Sequence, residues 1–71
     1  MTQQISDLIL KSRKHAGLTQ KELADLAGVA KNLIYELEKG KITIQYSNLL
    51  KVLHVLNIQI RFILPAGEPD A

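Results

Sequence analysis

The histidines and carboxylates of this 71-residue chain are the side chains suited to catalytic or metal chemistry, and their spacing supports neither. His15 and His54 fall on different predicted helices, without a carboxylate at ligand spacing. Neither a glycine-rich phosphate loop nor a nucleophile elbow is present, so we expect no enzyme, no cofactor and no metal site. The carboxylates before residue 64 fit first-turn or solvated helix charges: Asp7, Glu22, Asp25, Glu36 and Glu38.

Length and composition restrict the remaining possibilities. A chain of 71 residues without cysteine forms one small domain that no disulfide can stabilise, which leaves oligomerisation as the stabilising device. The net charge is +2, but residues 1–64 hold nine basic and five acidic side chains, a balance that suits a polyanionic partner. Because we find neither a signal peptide nor a run of about 18 apolar residues, we expect a soluble cytoplasmic protein.

Four helices are predicted from apolar spacing and from residues typical of helix ends. The second helix opens with "TQKE", a capping box in which Thr19 is the N-cap and Glu22 the third helical residue. The predicted helices cover residues 3–16, 20–27, 31–39 and 46–56. Residues that tolerate a left-handed conformation follow them at Gly17, Gly28, Gly40 and Asn57.

Apolar periodicity also predicts which faces of the outer helices are buried. The expected inner face of the first helix consists of Ile5, Leu8, Ile9 and Ser12. The expected inner face of the fourth helix consists of Tyr46, Leu49, Leu50, Leu53 and Leu56.

The stretch "QKELADLAGVAKNLIYEL" joins the second and third helices by a tight turn, so their axes must cross steeply. Such a crossing needs a small residue at the contact, supplied by Ala24, and a turn residue that accepts positive φ, supplied by Gly28. Apolar side chains must fill the inside of the angle, and they stand at Leu23, Ala27, Val29, Ile34 and Leu37.

The signature "LTQKELADLAGVAKNLIYELEKGK" resembles the Cro/C1-type (XRE) helix–turn–helix family, and the resemblance covers about residues 5–57. It implies a mainly α, four-helix, lambda-repressor-like DNA-binding domain over residues 1–57. Leu33 departs from the pattern, because many members carry a small polar residue there, and we expect it to pack inward. The matching positions are Thr19, Gln20, Glu22, Leu23, Ala24, Gly28, Ile34, Leu37, Glu38 and Gly40.

The resemblance implies that the third helix enters the major groove of DNA. Lys31 could donate to guanine O6 and N7, Asn32 could bond adenine in two places, and Ala30 suits a thymine methyl group. Tyr35 could stack or reach a phosphate, and Glu36 could accept from cytosine or hold a neighbouring lysine. For each of these side chains, the alternative is an ordinary solvated helix face. The candidate base contacts are Ala30, Lys31, Asn32, Tyr35 and Glu36.

Flanking phosphate contacts are expected from polar residues on either side of the third helix, where they give affinity and register rather than sequence choice. Arg13 could also touch a phosphate, but the resemblance implies instead a structural ion pair between Arg13 and Glu38. The candidate phosphate contacts are Gln20, Lys21, Lys39, Lys41 and Thr43.

The end of the chain, "NIQIRFILPAGEPDA", alternates as a β-strand does over residues 58–64. A lone strand in a helical domain has one obvious partner, the same strand of a second copy, and pairing would produce a two-fold homodimer that binds an inverted repeat. The alternative is a segment that folds back on its own fourth helix. We expect residues 65–71 to be a flexible tail. The predicted dimer-interface residues are Ile58, Ile60, Phe62 and Leu64.

A helix–turn–helix domain ending in "TIQYSNLLKVLHVLNIQIRFIL" is similar to HipB-type antitoxins. The resemblance implies a dimeric repressor of a toxin–antitoxin operon that also binds a HipA-type Ser/Thr kinase toxin. One alternative is a free-standing, phage-like or metabolic transcriptional regulator without a toxin. Another is a protein-interaction module that has lost DNA binding.

Overall fold

The computed structural model describes residues 2–41, 44–61, 63 and 65, and its four helices match the predicted ones to within about a residue at each end. Thr19 caps the second helix as predicted: its Oγ1 accepts from the Glu22 N–H at 3.0 Å, while Glu22 Oε1 accepts from the Thr19 N–H at 2.8 Å. In the described part of the chain, no helix has the length and apolarity that a membrane span needs. The helices are α1 (Thr2–His15), α2 (Gln20–Ala27), α3 (Lys31–Glu38) and α4 (Tyr46–Val55).

All four helices end in the same way, with a left-handed residue followed by a residue whose N–H bonds five positions back. This is the Schellman arrangement, which satisfies carbonyl groups that a helix end leaves without partners. Gly28 between α2 and α3 has a φ of +74°, and an added Cβ would meet nothing within 4 Å, so glycine is favoured there by backbone conformation rather than space. The closing bonds run from Leu18 to Arg13 (3.1 Å), Val29 to Ala24 (3.0 Å), Lys41 to Glu36 (3.0 Å) and Ile58 to Leu53 (2.9 Å).

The core lies where α2 packs against both α3 and α4, while α1 packs against α3. The apolar residues predicted to fill the contact between α2 and α3 lie in one buried cluster or pack against it, and Leu33 packs against it as well. The buried apolar residues are Ile9, Leu23, Ala24, Ala27, Ile34, Leu37, Leu49, Val52 and Leu53.

The predicted faces of α1 and α4 need correction. Leu8, Tyr46 and Leu50 were expected to be buried, but they are 49%, 55% and 40% exposed. Ser6 and Val52 are buried in their place. The inner face of α4 is centred on residues 49, 52 and 53, so apolar residues at the edge of that stripe stay accessible to solvent.

The structure does not show the strand expected over residues 58–64. Residues 58–61, 63 and 65 form neither helix nor strand, while Phe62, Leu64 and residues 66–71, which include most of the predicted tail, lie outside the described residues. Ile58 packs against the core, whereas Ile60 and Ile63 are 40% and 89% exposed. A strand acquires its hydrogen bonds from a neighbouring strand, and the described part of this single chain contains none.

A polar network ties α1, α2 and α3 together, and it contains the ion pair that the resemblance implied. Arg13 Nε donates to Glu38 Oε2 at 2.7 Å and Arg13 Nη2 donates to Glu38 Oε1 at 3.1 Å, with the two side chains only 11% and 6% exposed. Arg13 Nη1 also donates to the Leu18 carbonyl at 2.8 Å, and Gln20 Nε2 donates to Glu38 Oε1 at 3.0 Å. Hydrogen bonding to Glu38 raises the pKa of the Arg13 guanidinium, although burial opposes the shift, so this cation is permanent.

Replacing Arg13 with alanine should lower the free energy of unfolding by about 3–5 kcal/mol, because one partner of a nearly buried ion pair is left uncompensated. Arg13→Lys should cost less, since it keeps the charge but loses the forked geometry. The double variant Arg13→Met with Glu38→Leu should recover most of the loss, because no buried charge remains. Urea unfolding followed by circular dichroism measures all three. A loss below about 1 kcal/mol for Arg13→Ala would mean that the pair behaves as an exposed one.

Candidate nucleic-acid interface

The outer face of α3 presents the side chains that the sequence indicated for base reading. Ala30, Lys31, Asn32 and Tyr35 are exposed, and Glu36 is half-buried. Ala30 is the N-cap of α3, but its side chain offers no cap hydrogen bond, so the first turn of this helix keeps backbone donors free of a side-chain cap.

A shallow, open depression joins α3 to the first turn of α2. It is lined by Gln20, Lys31, Asn32 and Tyr35, so the structure brings a predicted phosphate-contact residue together with three predicted base-contact residues. Gln20 is held there because its amide nitrogen donates to Glu38. One N–H and the amide oxygen of Gln20 remain available for a ligand.

Contacts one helical turn apart order the side chains along α3. Lys39 Nζ lies 5.3 Å from the centroid of the Tyr35 ring, within the range of a cation–π interaction. Asn32 Nδ2 donates to Glu36 Oε1 at 3.4 Å, and Lys41 Nζ lies 3.8 Å from the same oxygen. Glu36 was predicted either to accept from cytosine or to hold a neighbouring lysine, and the structure shows it in contact with Lys41.

The predicted phosphate-contact lysines lie near the start of α2 and at the end of α3. Lys21 is exposed near the start of α2 and pairs with Asp25 at 2.9 Å, an exposed bridge that costs little to break. Lys39 and Lys41 are exposed at the end of α3, and Thr43 lies outside the described residues. Exposed lysines therefore neighbour two lining residues of the depression: Lys21 follows Gln20 in the chain, and Lys39 lies over the Tyr35 ring.

Sequence reasoning missed the bond between Gln20 and Glu38 and the stacking of Lys39 on Tyr35. The i, i+4 spacing of Tyr35 and Lys39 could have indicated their contact. The Gln20–Glu38 bond joins residues 18 positions apart, and no local pattern indicates it.

The histidines lie away from the depression. His15 and His54 are exposed, and His15 lines an open groove between the ends of α1 and α4 with Lys11, Val55 and Leu56. Among the described residues, no group of histidine, cysteine and carboxylate side chains is arranged to hold a metal ion.

Comparisons with known proteins show the family of the chain. A family model described as "Helix-turn-helix" matches residues 9–63 of the chain. An uncharacterised HTH-type transcriptional regulator, y4mF of Sinorhizobium fredii (strain NBRC 101917 / NGR234), is 42% identical over 64 residues, which are 90% of this chain and 83% of the relative. The chain therefore belongs to the Cro/C1-type (XRE) helix–turn–helix family.

Proposed function

We propose that the protein is a non-enzymatic transcriptional repressor that binds double-stranded DNA in a sequence-dependent manner. The observation that carries this proposal is the shared depression of Gln20, Lys31, Asn32 and Tyr35, in which a phosphate-binding type of side chain stands beside base-reading types. The family and the regulator named among its relatives support the same role.

In this proposal α3 lies in the major groove and the start of α2 faces the backbone of one strand. Lys31 donates to guanine and Asn32 bonds an adenine edge, since these donors match those acceptors. Gln20 turns its second N–H toward a phosphate, and the exposed lysines near the start of α2 and at the end of α3 contact further phosphates. The bond from Gln20 to Glu38 ties the start of α2 to the end of α3, and the ion pair of Arg13 and Glu38 ties α1 to the same carboxylate, so the base and phosphate contacts form together.

Lys31→Ala should weaken binding to the preferred duplex by about 1–3 kcal/mol and relax the choice at one base pair, because Lys31 reads a base. Lys21→Ala is the matched control: it should weaken all duplexes alike and reduce the salt slope by about 1, because Lys21 contacts a phosphate. Fluorescence anisotropy over a range of salt concentrations measures both, with a duplex selected from a random library and its scrambled counterpart.

Failure of the wild-type protein to enrich any sequence in that selection would remove the DNA-reading role and favour the interaction-module alternative. Equal losses on both duplexes for Lys31→Ala would place Lys31 at a phosphate instead of a base.

We further propose that two copies pair through residues 58–64 to form a homodimer. The supporting observations are that Ile58 packs against the core, which anchors the start of the segment, and that Ile60, on the same side of the predicted strand, is exposed beyond it. Antiparallel pairing with a second copy would satisfy the backbone groups of the segment and cover Ile60 against the partner. A two-fold dimer carries two α3 helices, and it fits an inverted repeat whose half-sites lie about one DNA turn apart.

Ile60→Lys should convert the dimer to a monomer, because Ile60 lies with Ile58 on the predicted interface side of the strand and the substitution places a charge there. Gln59→Lys is the matched control, since the same charge on the opposite side should leave the dimer intact. Sedimentation velocity measures the mass of each. A dimeric Ile60→Lys variant, or a monomeric wild-type protein, would contradict pairing through this segment.

We also propose that the repressor acts as a HipB-type antitoxin that regulates its own operon and binds a HipA-type Ser/Thr kinase. The support is the resemblance of residues 43–64 to that group. Co-expression with the product of the adjacent gene tests it: a kinase that co-purifies with the repressor is expected. An adjacent gene that encodes no kinase would favour the free-standing regulator.

A further inference from the structure

Glu36 is the acidic member of the candidate base-contact set, and a single one of its oxygens holds two neighbours. Asn32 Nδ2 donates to Glu36 Oε1 at 3.4 Å, and Lys41 Nζ lies 3.8 Å from that oxygen. Asn32 is a candidate base contact and Lys41 a candidate phosphate contact. Glu36 therefore connects the two kinds of DNA contact on one side of α3.

The end of α3 explains why Lys41 is within reach. Gly40, with a φ of +93°, turns the chain so that the Lys41 N–H bonds to the Glu36 carbonyl. A Schellman end commonly brings an apolar side chain into contact at this position, and Leu18, Val29 and Ile58 at the other three helix ends do pack against the core. At the end of α3 an ion pair replaces the apolar contact.

We propose that Glu36 is a specificity-determining residue that weakens binding to the wrong duplexes. On those duplexes Glu36 keeps Lys41 away from the phosphates, and on the right duplex it releases Lys41 to a phosphate. This inference rests on the proposed DNA-binding function. A carboxylate only accepts hydrogen bonds, so in the major groove it is satisfied by the exocyclic amino groups of adenine or cytosine. Guanine O6 and N7 and thymine O4 are acceptors, and they would leave Glu36 without a donor from the DNA.

On a duplex that places an acceptor rather than an amino group within reach of Glu36, Lys41 stays with the carboxylate to compensate its charge and makes no contact with the DNA backbone. On a duplex with an amino group at that place, the base becomes the partner of Glu36 and Lys41 moves to a phosphate. The exchange costs little in the free protein, because the Lys41 and Glu36 side chains are 63% and 39% exposed. Glu36 also orients the Asn32 amide through its contact with Nδ2. The second Nδ2 hydrogen and the amide oxygen of Asn32 remain to bond adenine.

Glu36→Gln tests the proposal, because the amide keeps the shape but both donates and accepts, and it has no charge to hold Lys41. Affinity for a scrambled duplex should rise about fivefold at physiological salt, the effect of one additional phosphate contact, with a salt slope steeper by about 0.9. Affinity for the selected duplex should change less, so the ratio between the two duplexes falls. Adding Lys41→Gln to Glu36→Gln should abolish the gain on the scrambled duplex, while Lys41→Gln alone should have little effect there.

Asp25→Asn is the matched control, because it removes the carboxylate that holds Lys21 at 2.9 Å on α2. This variant should change the affinity for both duplexes by the same factor, as expected for the loss of a negative charge that is not tied to base recognition. A Glu36→Gln variant that keeps the wild-type ratio between duplexes overturns the proposal, as does one that loses affinity for the selected duplex alone.

A second measurement is independent of DNA. In the free protein, Glu36→Gln should shift the side-chain amide resonances of Asn32 in a ¹H–¹⁵N spectrum, whereas Asp25→Asn should not. Unmoved Asn32 resonances would contradict the contact between Glu36 and Asn32, and with it the orientation of the Asn32 amide by Glu36. A wild-type protein without any preferred duplex defeats the proposed function as well, and this outcome differs from a preference that survives Glu36→Gln.

Discussion

The nearly buried carboxylate of Glu38 is the constraint on which the arrangement of the helices depends. A charge that is 6% exposed destabilises the fold unless its oxygens are paired, and Arg13 and Gln20 together supply three donors to them. These donors come from the end of α1 and the start of α2, while the carboxylate comes from the end of α3. Satisfying one charge therefore fixes three helices relative to one another, and it orients the Gln20 amide at the edge of the candidate DNA surface.

The helix ends contribute the second constraint. Each helix stops at a left-handed residue and closes with a bond five positions back, so the helices keep the short lengths that a 71-residue domain requires. The side chain that follows each stop is apolar and packs inward, except at the end of α3. There Lys41 turns toward Glu36, and the device that ends the helix also places a cation beside the candidate reading surface.

Most of the fold could be predicted from the sequence because its signals are local. The Thr19 capping box, the left-handed Asn57 and the small Ala24 at the helix crossing all depend on near neighbours. The partial exposure of Leu50 could not be predicted, because apolar periodicity predicts which stripe of α4 faces the core but not how much of that stripe the neighbouring helices cover. The position of the candidate site followed from the family resemblance. The bond from Gln20 to Glu38 could not be predicted, because it joins residues 18 positions apart and no local pattern indicates it. The strand predicted over residues 58–64 is not shown by the described part of that segment, where no neighbouring strand supplies hydrogen bonds.

In the proposed function, one surface, centred on the depression between α2 and α3, reads DNA. A titration of the ¹⁵N-labelled protein with a selected duplex, followed by ¹H–¹⁵N spectra, tests it most directly. The largest shifts are expected at Gln20, Lys31, Asn32 and Tyr35, with little change at His54 on α4. Shifts concentrated on α4 and the outer face of α1, with α3 unaffected, would show that the surface between α2 and α3 does not read DNA.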